Sequence, residues 1–92
     1  MTGKVIYDAS SQGMLGGLYA RGLGVPKDFA QAVAWFQKAA AQGDPNGCTG
    51  LGMAYEHGIA GLPKDTSKAI ELYKKAGDFP PAKQALARLG TN

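Results

Sequence analysis

The chain has 92 residues, 45% of them hydrophobic and 18% charged, and carries a net charge of +3. That length makes one small domain, and this balance of apolar and charged residues excludes a disordered tail. The ten basic residues are scattered, with only Lys74 and Lys75 adjacent, which excludes the basic stripe of a nucleic-acid surface, and no apolar run approaches the roughly 18 residues that span a bilayer.

A first helix begins after Asp8 or Ser10, either of which suits its amino-terminal cap, and carries Leu15, Leu18 and Tyr19 at helical spacing. Gly22 and Gly24 stop it, and Val25 and Pro26 turn the chain. Asp28 caps a second helix with Gln31 three residues on, a capping-box arrangement, and Ala32, Trp35, Phe36 and Ala39 mark its apolar stripe before Gly43 ends it. A third helix is expected from about Pro45 to His57 and a fourth from about Thr66 to Ala76. Beyond Asp78 and Phe79, Pro80 and Pro81 open a last helix with Ala82, Ala85, Leu86 and Leu89 on one face.

These elements repeat. Shifted by 36 positions, Asp8 falls on Asp44, Leu15 on Leu51, Gly16 on Gly52, Tyr19 on Tyr55 and Gly22 on Gly58. At a shift of 37 the match continues, with Gly24 on Gly61, Pro26 on Pro63, Asp28 on Asp65, Ala32 on Ala69, Phe36 on Tyr73 and Ala39 on Ala76. The extra residue falls in the segment 58–61, which must be a loop to admit it. Leu86 lies 35 positions beyond Leu51, so the last helix nearly keeps the phase of a third unit. The expected fold is an all-α solenoid of two-helix units in one domain. Repeat one runs from about 8 to 43, repeat two from about 44 to 78, and a C-terminal capping helix from about 80 to 90.

The fourteen glycines are about twice the usual share, and the repeat explains many of them. Gly16 and Gly52 sit beside periodic leucines, where a bare backbone lets a neighbouring helix approach, and Tyr19 and Tyr55 are expected to fill the groove so formed. Ala32, Ala39, Ala69 and Ala76 serve the same close packing from the second helices.

No catalytic constellation emerges. Cys48 is alone and read as a small buried hydrophobe, so no intrachain disulfide forms and the redox compartment is unreadable. His57, the only histidine, stands nine residues after Cys48 on the same expected helix, about 13.5 Å along its axis, too far for a thiolate and imidazole pair. One His and one Cys cannot supply the usual zinc ligand set, and Gly22-x-Gly24 lacks both a preceding strand and a third glycine for a nucleotide loop. Glu56 and Glu71 lie on different helices and read as solvated surface. No metal, no cofactor and no enzymatic activity is expected.

The pattern Leu-Gly-x-x-Tyr-x-x-Gly, then Pro-Lys-Asp, then Ala-x-x-Trp-Phe-x-Lys-Ala-Ala or Ala-x-x-Leu-Tyr-x-Lys-Ala, resembles the Sel-like repeat family, itself related to tetratricopeptide repeats. The resemblance covers residues 8 to 77 as two units and 79 to 90 as a partial third. It implies antiparallel helix pairs stacked into a right-handed superhelix, used as a scaffold or adaptor for other proteins. Gly13, Met14 and Gly50 depart from it, standing where larger residues are common, so the first helix of each unit must draw its stability mostly from packing. Some members have been proposed to hydrolyse β-lactams, but the Ser-x-x-Lys arrangement of such chemistry is missing here.

In stacked helix pairs the first helix of each unit lines the concave surface. With Leu15, Gly16 and Tyr19 taken as buried, the groove positions of unit one are Gly13, Gly17, Ala20 and Arg21, and those of unit two are Thr49, Met53, Glu56 and His57. The last helix adds Gln84 and Arg88. Met53 is expected to supply an adaptable apolar contact, with Arg21 and Arg88 orienting a carboxylate or carbonyl of a bound protein or peptide. Weak self-association through the open ends of the stack is the alternative. The amino terminus lacks the layout of a secretory signal, so the expectation is a soluble chain, cytoplasmic as it stands, and periplasmic or secreted where a signal has been removed.

Overall fold

A computed structural model describes residues 7–91, in which five helices and no strand are found. They are α1 (Ala9–Arg21), α2 (Phe29–Ala41), α3 (Pro45–His57), α4 (Thr66–Lys75) and α5 (Pro80–Arg88). One physical device starts four of them. The carboxylates of Asp8, Asp28, Asp44 and Asp65 accept hydrogen bonds from the backbone N–H groups of Ser11, Gln31, Gly47 and Lys68 at 2.8, 3.1, 3.0 and 3.0 Å. α5 starts instead on two prolines, whose missing N–H groups need no cap. It ends at Arg88, two residues earlier than the 80–90 span expected from its apolar face, with Gly90 in the left-handed region beyond it.

The capping box expected at Asp28 is only half made. Its backbone N–H donates to the carbonyl of Tyr19 at 2.9 Å, so it is unavailable to the Gln31 side chain. The same clasp recurs in unit two, from the N–H of Asp65 to the carbonyl of Tyr55 at 2.8 Å. Each clasp pins the start of a second helix to the end of the first. Between the pinned points the chain turns at Gly22 and Gly58, whose φ values of 68° and 64° place them in the left-handed conformation that ends α1 and α3.

Packing follows the order of the chain: α1 lies on α2 and α3, α3 on α2 and α4, and α5 on α4 and α3. The aromatic residues of the second helices fit against the helical glycines. A Cβ added to Gly16 or Gly50 would lie 2.6 or 2.5 Å from the Phe36 ring, so that ring is held between α1 and α3. A Cβ at Gly52 would lie 2.9 Å from Tyr73. Phe36 and Tyr73 therefore occupy the notches that the sequence reading gave to Tyr19 and Tyr55, which are half-buried instead. Tyr73 and Cys48 are the largest fully buried side chains. Around them Ala40, Ala69, Ala76, Ala82, Ala85 and Leu86 close the core, with Leu51, Tyr55 and Leu89 packed at its edge.

Candidate functional site

Two adjoining clefts run along the side of the stack formed by α1, α3 and α5. The first, about 300 Å³, lies between α1 and α3, with Gly17, Ala20 and Arg21 on one wall and Met53 on the other, above Phe36 and Val33 of α2. The second, about 390 Å³, lies between α3 and α5 and is lined by Thr49, Met53, Pro81, Gln84, Ala85 and Arg88. Met53, 47% exposed, belongs to both and divides them. Seven of the residues expected in the groove, Gly17, Ala20, Arg21, Thr49, Met53, Gln84 and Arg88, line these two clefts.

Glu56 requires correction. It was read as a solvated groove residue, and it is 7% exposed. Its carboxylate accepts from the Tyr73 hydroxyl at 2.7 Å and from both terminal nitrogens of Arg88, at 2.5 and 3.0 Å. The bidentate pairing lets the charge remain under cover, because three donors, one on Oε2 and two on Oε1, replace water that burial removes. The Arg88 guanidinium holds the Glu56 carboxyl down to about 2, against the opposing pull of burial and with further help from Tyr73. Burial, then the adjacent carboxylate, pushes the Tyr73 hydroxyl well above the usual phenol range. Glu56 is thus engaged within the fold, and the charge of Arg88 is already answered.

The other expected groove residues divide. Thr49 is 6% exposed, and its hydroxyl has no hydrogen-bond partner among the described residues. Gly13 is covered by the start of unit two, since a Cβ there would lie 2.5 Å from Asp44 Oδ2 and 2.9 Å from Asn46. His57 is exposed, with Nε2 3.8 Å from Glu56 Oε2, and lines neither cleft. Arg21 is exposed at the rim of the first cleft, where no carboxylate lies within 4 Å of it among the described residues. The floor contributed by Phe36 and Val33 was missed, because residues of second helices were assigned to the core alone. The signal that could have found it is Gly50 lying one helical turn before Met53, which opens the wall to the ring behind.

Among the described residues no group of three or more His, Cys, Asp or Glu residues is placed to hold a metal, and no helix is long and apolar enough to cross a membrane.

The repeat architecture has known counterparts. The family model for the Sel1 repeat matches twice, at residues 9–44 and 45–78. Among solved structures, the crystal structure of a Sel1 repeat protein from Oxalobacter formigenes is similar, with 38% identity and a TM-score of 0.77 over 88% of this chain. The likeness covers 24% of that longer chain. No curated protein matches. Tandem family matches across most of the sequence, on helices that pack in the corresponding order, show that this chain belongs to the Sel1 repeat family.

Proposed function

We propose that this chain is a protein-interaction module that receives an extended peptide segment of a partner along the paired clefts of α1, α3 and α5. Sel1 repeat proteins generally mediate protein–protein interaction. The observation that carries the reading is the continuity of the two clefts through Met53, a half-exposed, conformationally adaptable side chain on the boundary between a strongly apolar hollow and a mixed one. In the second hollow, the exposed Gln84 amide offers hydrogen bonds of the kind a peptide backbone needs. Arg21 is the groove cation with its charge unanswered, so it takes the orienting role that the sequence suggested for Arg21 and Arg88 together.

Chemical-shift mapping tests this reading. Peptides recovered from a displayed random library, titrated into the labelled chain, should perturb Gly17, Arg21, Met53 and Gln84. Perturbation confined to the opposite faces of α2 and α4 would refute it.

A second reading, self-association through the open end of the stack, is favoured by one observation. Met14 and Leu18 are 61% and 38% exposed on α1, at positions that correspond by the 36-residue shift to Gly50 and Ala54, which face α2. Sedimentation across a range of concentrations separates the two, since a monomer at every concentration disfavours assembly.

A further inference from the structure

Six glycines lie within α1 and α3, and five are explained by packing. A Cβ at Gly13, Gly16, Gly47, Gly50 or Gly52 would come within 3.0 Å of a neighbouring helix or loop. At Gly17 it would meet nothing within 4 Å, and Gly17 has no left-handed backbone to require glycine. A mid-helix glycine weakens a helix relative to alanine, and the fold draws no packing benefit from this one. What its bareness leaves open is the mouth of the first cleft.

The internal repeat supplies the contrast. By the register of the units, Gly17, Ala20, Phe36 and Met53 correspond to Met53, Glu56, Tyr73 and Arg88. In unit two, Glu56, Tyr73 and Arg88 join in a hydrogen-bonded cluster at the corresponding positions, with the second cleft beside it. In unit one every counterpart is apolar or absent, and a cleft of about 300 Å³ remains. That volume stands at the lower edge of the roughly 300–1,000 Å³ typical of small-molecule pockets, and it suits one large side chain. Arg21 is the one charged residue in its lining. Lys27 adds a second positive charge at the rim, its ammonium 5.1 Å from the centre of the Phe29 ring. The nearby carboxylates are engaged, Asp28 as the cap of α2 and Glu56 with Arg88.

We infer that the first cleft is an anchor pocket for a single large apolar side chain, leucine, methionine or phenylalanine, of a partner peptide whose adjoining residue presents a carboxylate to Arg21. The inference rests on the peptide-groove reading above and names what that groove selects.

The test uses the full chain as bait for a displayed library of random dodecamers, with Gly17→Ala, Gly17→Leu and Arg21→Glu as comparison proteins. Thermal melts confirm that each variant folds, and both Gly17 changes favour the helix. Selected peptides should share an apolar residue beside Asp or Glu. Gly17→Leu should weaken their binding by about tenfold or more by filling the pocket, and Gly17→Ala should leave it within about threefold. Arg21→Glu should weaken acidic peptides and favour versions with Lys in place of the acid. Peptides that perturb Met53 and Gln84 but bind Gly17→Leu undiminished would overturn the anchor pocket and leave the groove reading intact. Peptides that avoid the groove altogether would overturn both. Dimerisation of the unliganded chain that Gly17→Leu abolishes would make a second copy the occupant and overturn the peptide.

Discussion

Acid should loosen this protein chiefly through Glu56, and Glu56→Gln measures how far. The Glu56 carboxyl lies at about 2 in the folded chain against an ordinary value of 4.5, because Arg88 and Tyr73 donate to its charged form. A carboxyl lowered by folding stabilises the native state above its unfolded pKa and loses that contribution as pH falls through the folded one. The difference of about 2.5 pKa units is worth about 3 kcal/mol, a conversion suited to a side chain so nearly buried. About 2 kcal/mol of it should be gone by pH 3, on the order of a ten-degree fall in melting temperature for a domain this small. The assay is urea unfolding of the wild type and Glu56→Gln at pH 7, 5, 4 and 3. The exposed Asp8 carboxyl is also lowered, by its hydrogen bonds to Ser11, but it is common to both proteins and cancels in their difference. The wild type should hold its largest advantage at pH 7 and lose most of it by pH 3. A difference constant to within about 0.5 kcal/mol across that range would refute the claim that Glu56 is charged and paired under cover.

Three further outcomes follow from the packing. Glycine to alanine should change sign between two positions of the same groove: Gly17→Ala should raise stability by about 0.5–1 kcal/mol on helix propensity alone, whereas Gly50→Ala, with its Cβ driven 2.5 Å from the Phe36 ring, should lower it by about 1–3 kcal/mol in denaturant titrations. Tyr73→Phe should cost about 1–2 kcal/mol by removing a donor from the Glu56 carboxylate, with a much smaller loss when Glu56 is already glutamine, as a double-mutant cycle would read. Asp65→Ala should cost about 1 kcal/mol, seen as a lower melting temperature, through loss of the cap on Lys68 N–H.

Much of the scaffold could be read from residue order because its causes are local. Each capping Asp lies three residues before the N–H it receives, and each first helix ends on a glycine that takes the left-handed turn. The positions that line the clefts share a related regularity, since one helical register copied at shifts of 36 and then 35 puts Gly17, Met53 and Arg88 at equivalent points. Glu56 was not, because its partners lie 17 and 32 residues away and no local rule links them. The clue lay in the mismatches of the repeat: Ala20 with Glu56, Phe36 with Tyr73 and Met53 with Arg88 all pass from apolar to polar together. Positions that agree between the units mark the fold, and these three that disagree mark the cluster. The aromatic wedges were missed similarly. A ring at Phe36 reads as core from its own helix, and only the two facing glycines, 20 residues before it and 14 after, reveal a socket.

The paired backbone clasps have a consequence for how the two connecting loops vary. Tyr19 to Asp28 and Tyr55 to Asp65 differ by one residue in span, yet both close on the same hydrogen bond. The surplus is taken up at Ala60, whose φ of 57° is the one positive value outside glycine among the described residues. Length added between such fixed points bulges outward into solvent and leaves the helices in register, so foreign segments inserted at Ala60, next to Ile59 of the first cleft, should be carried as passengers at the edge of that cleft.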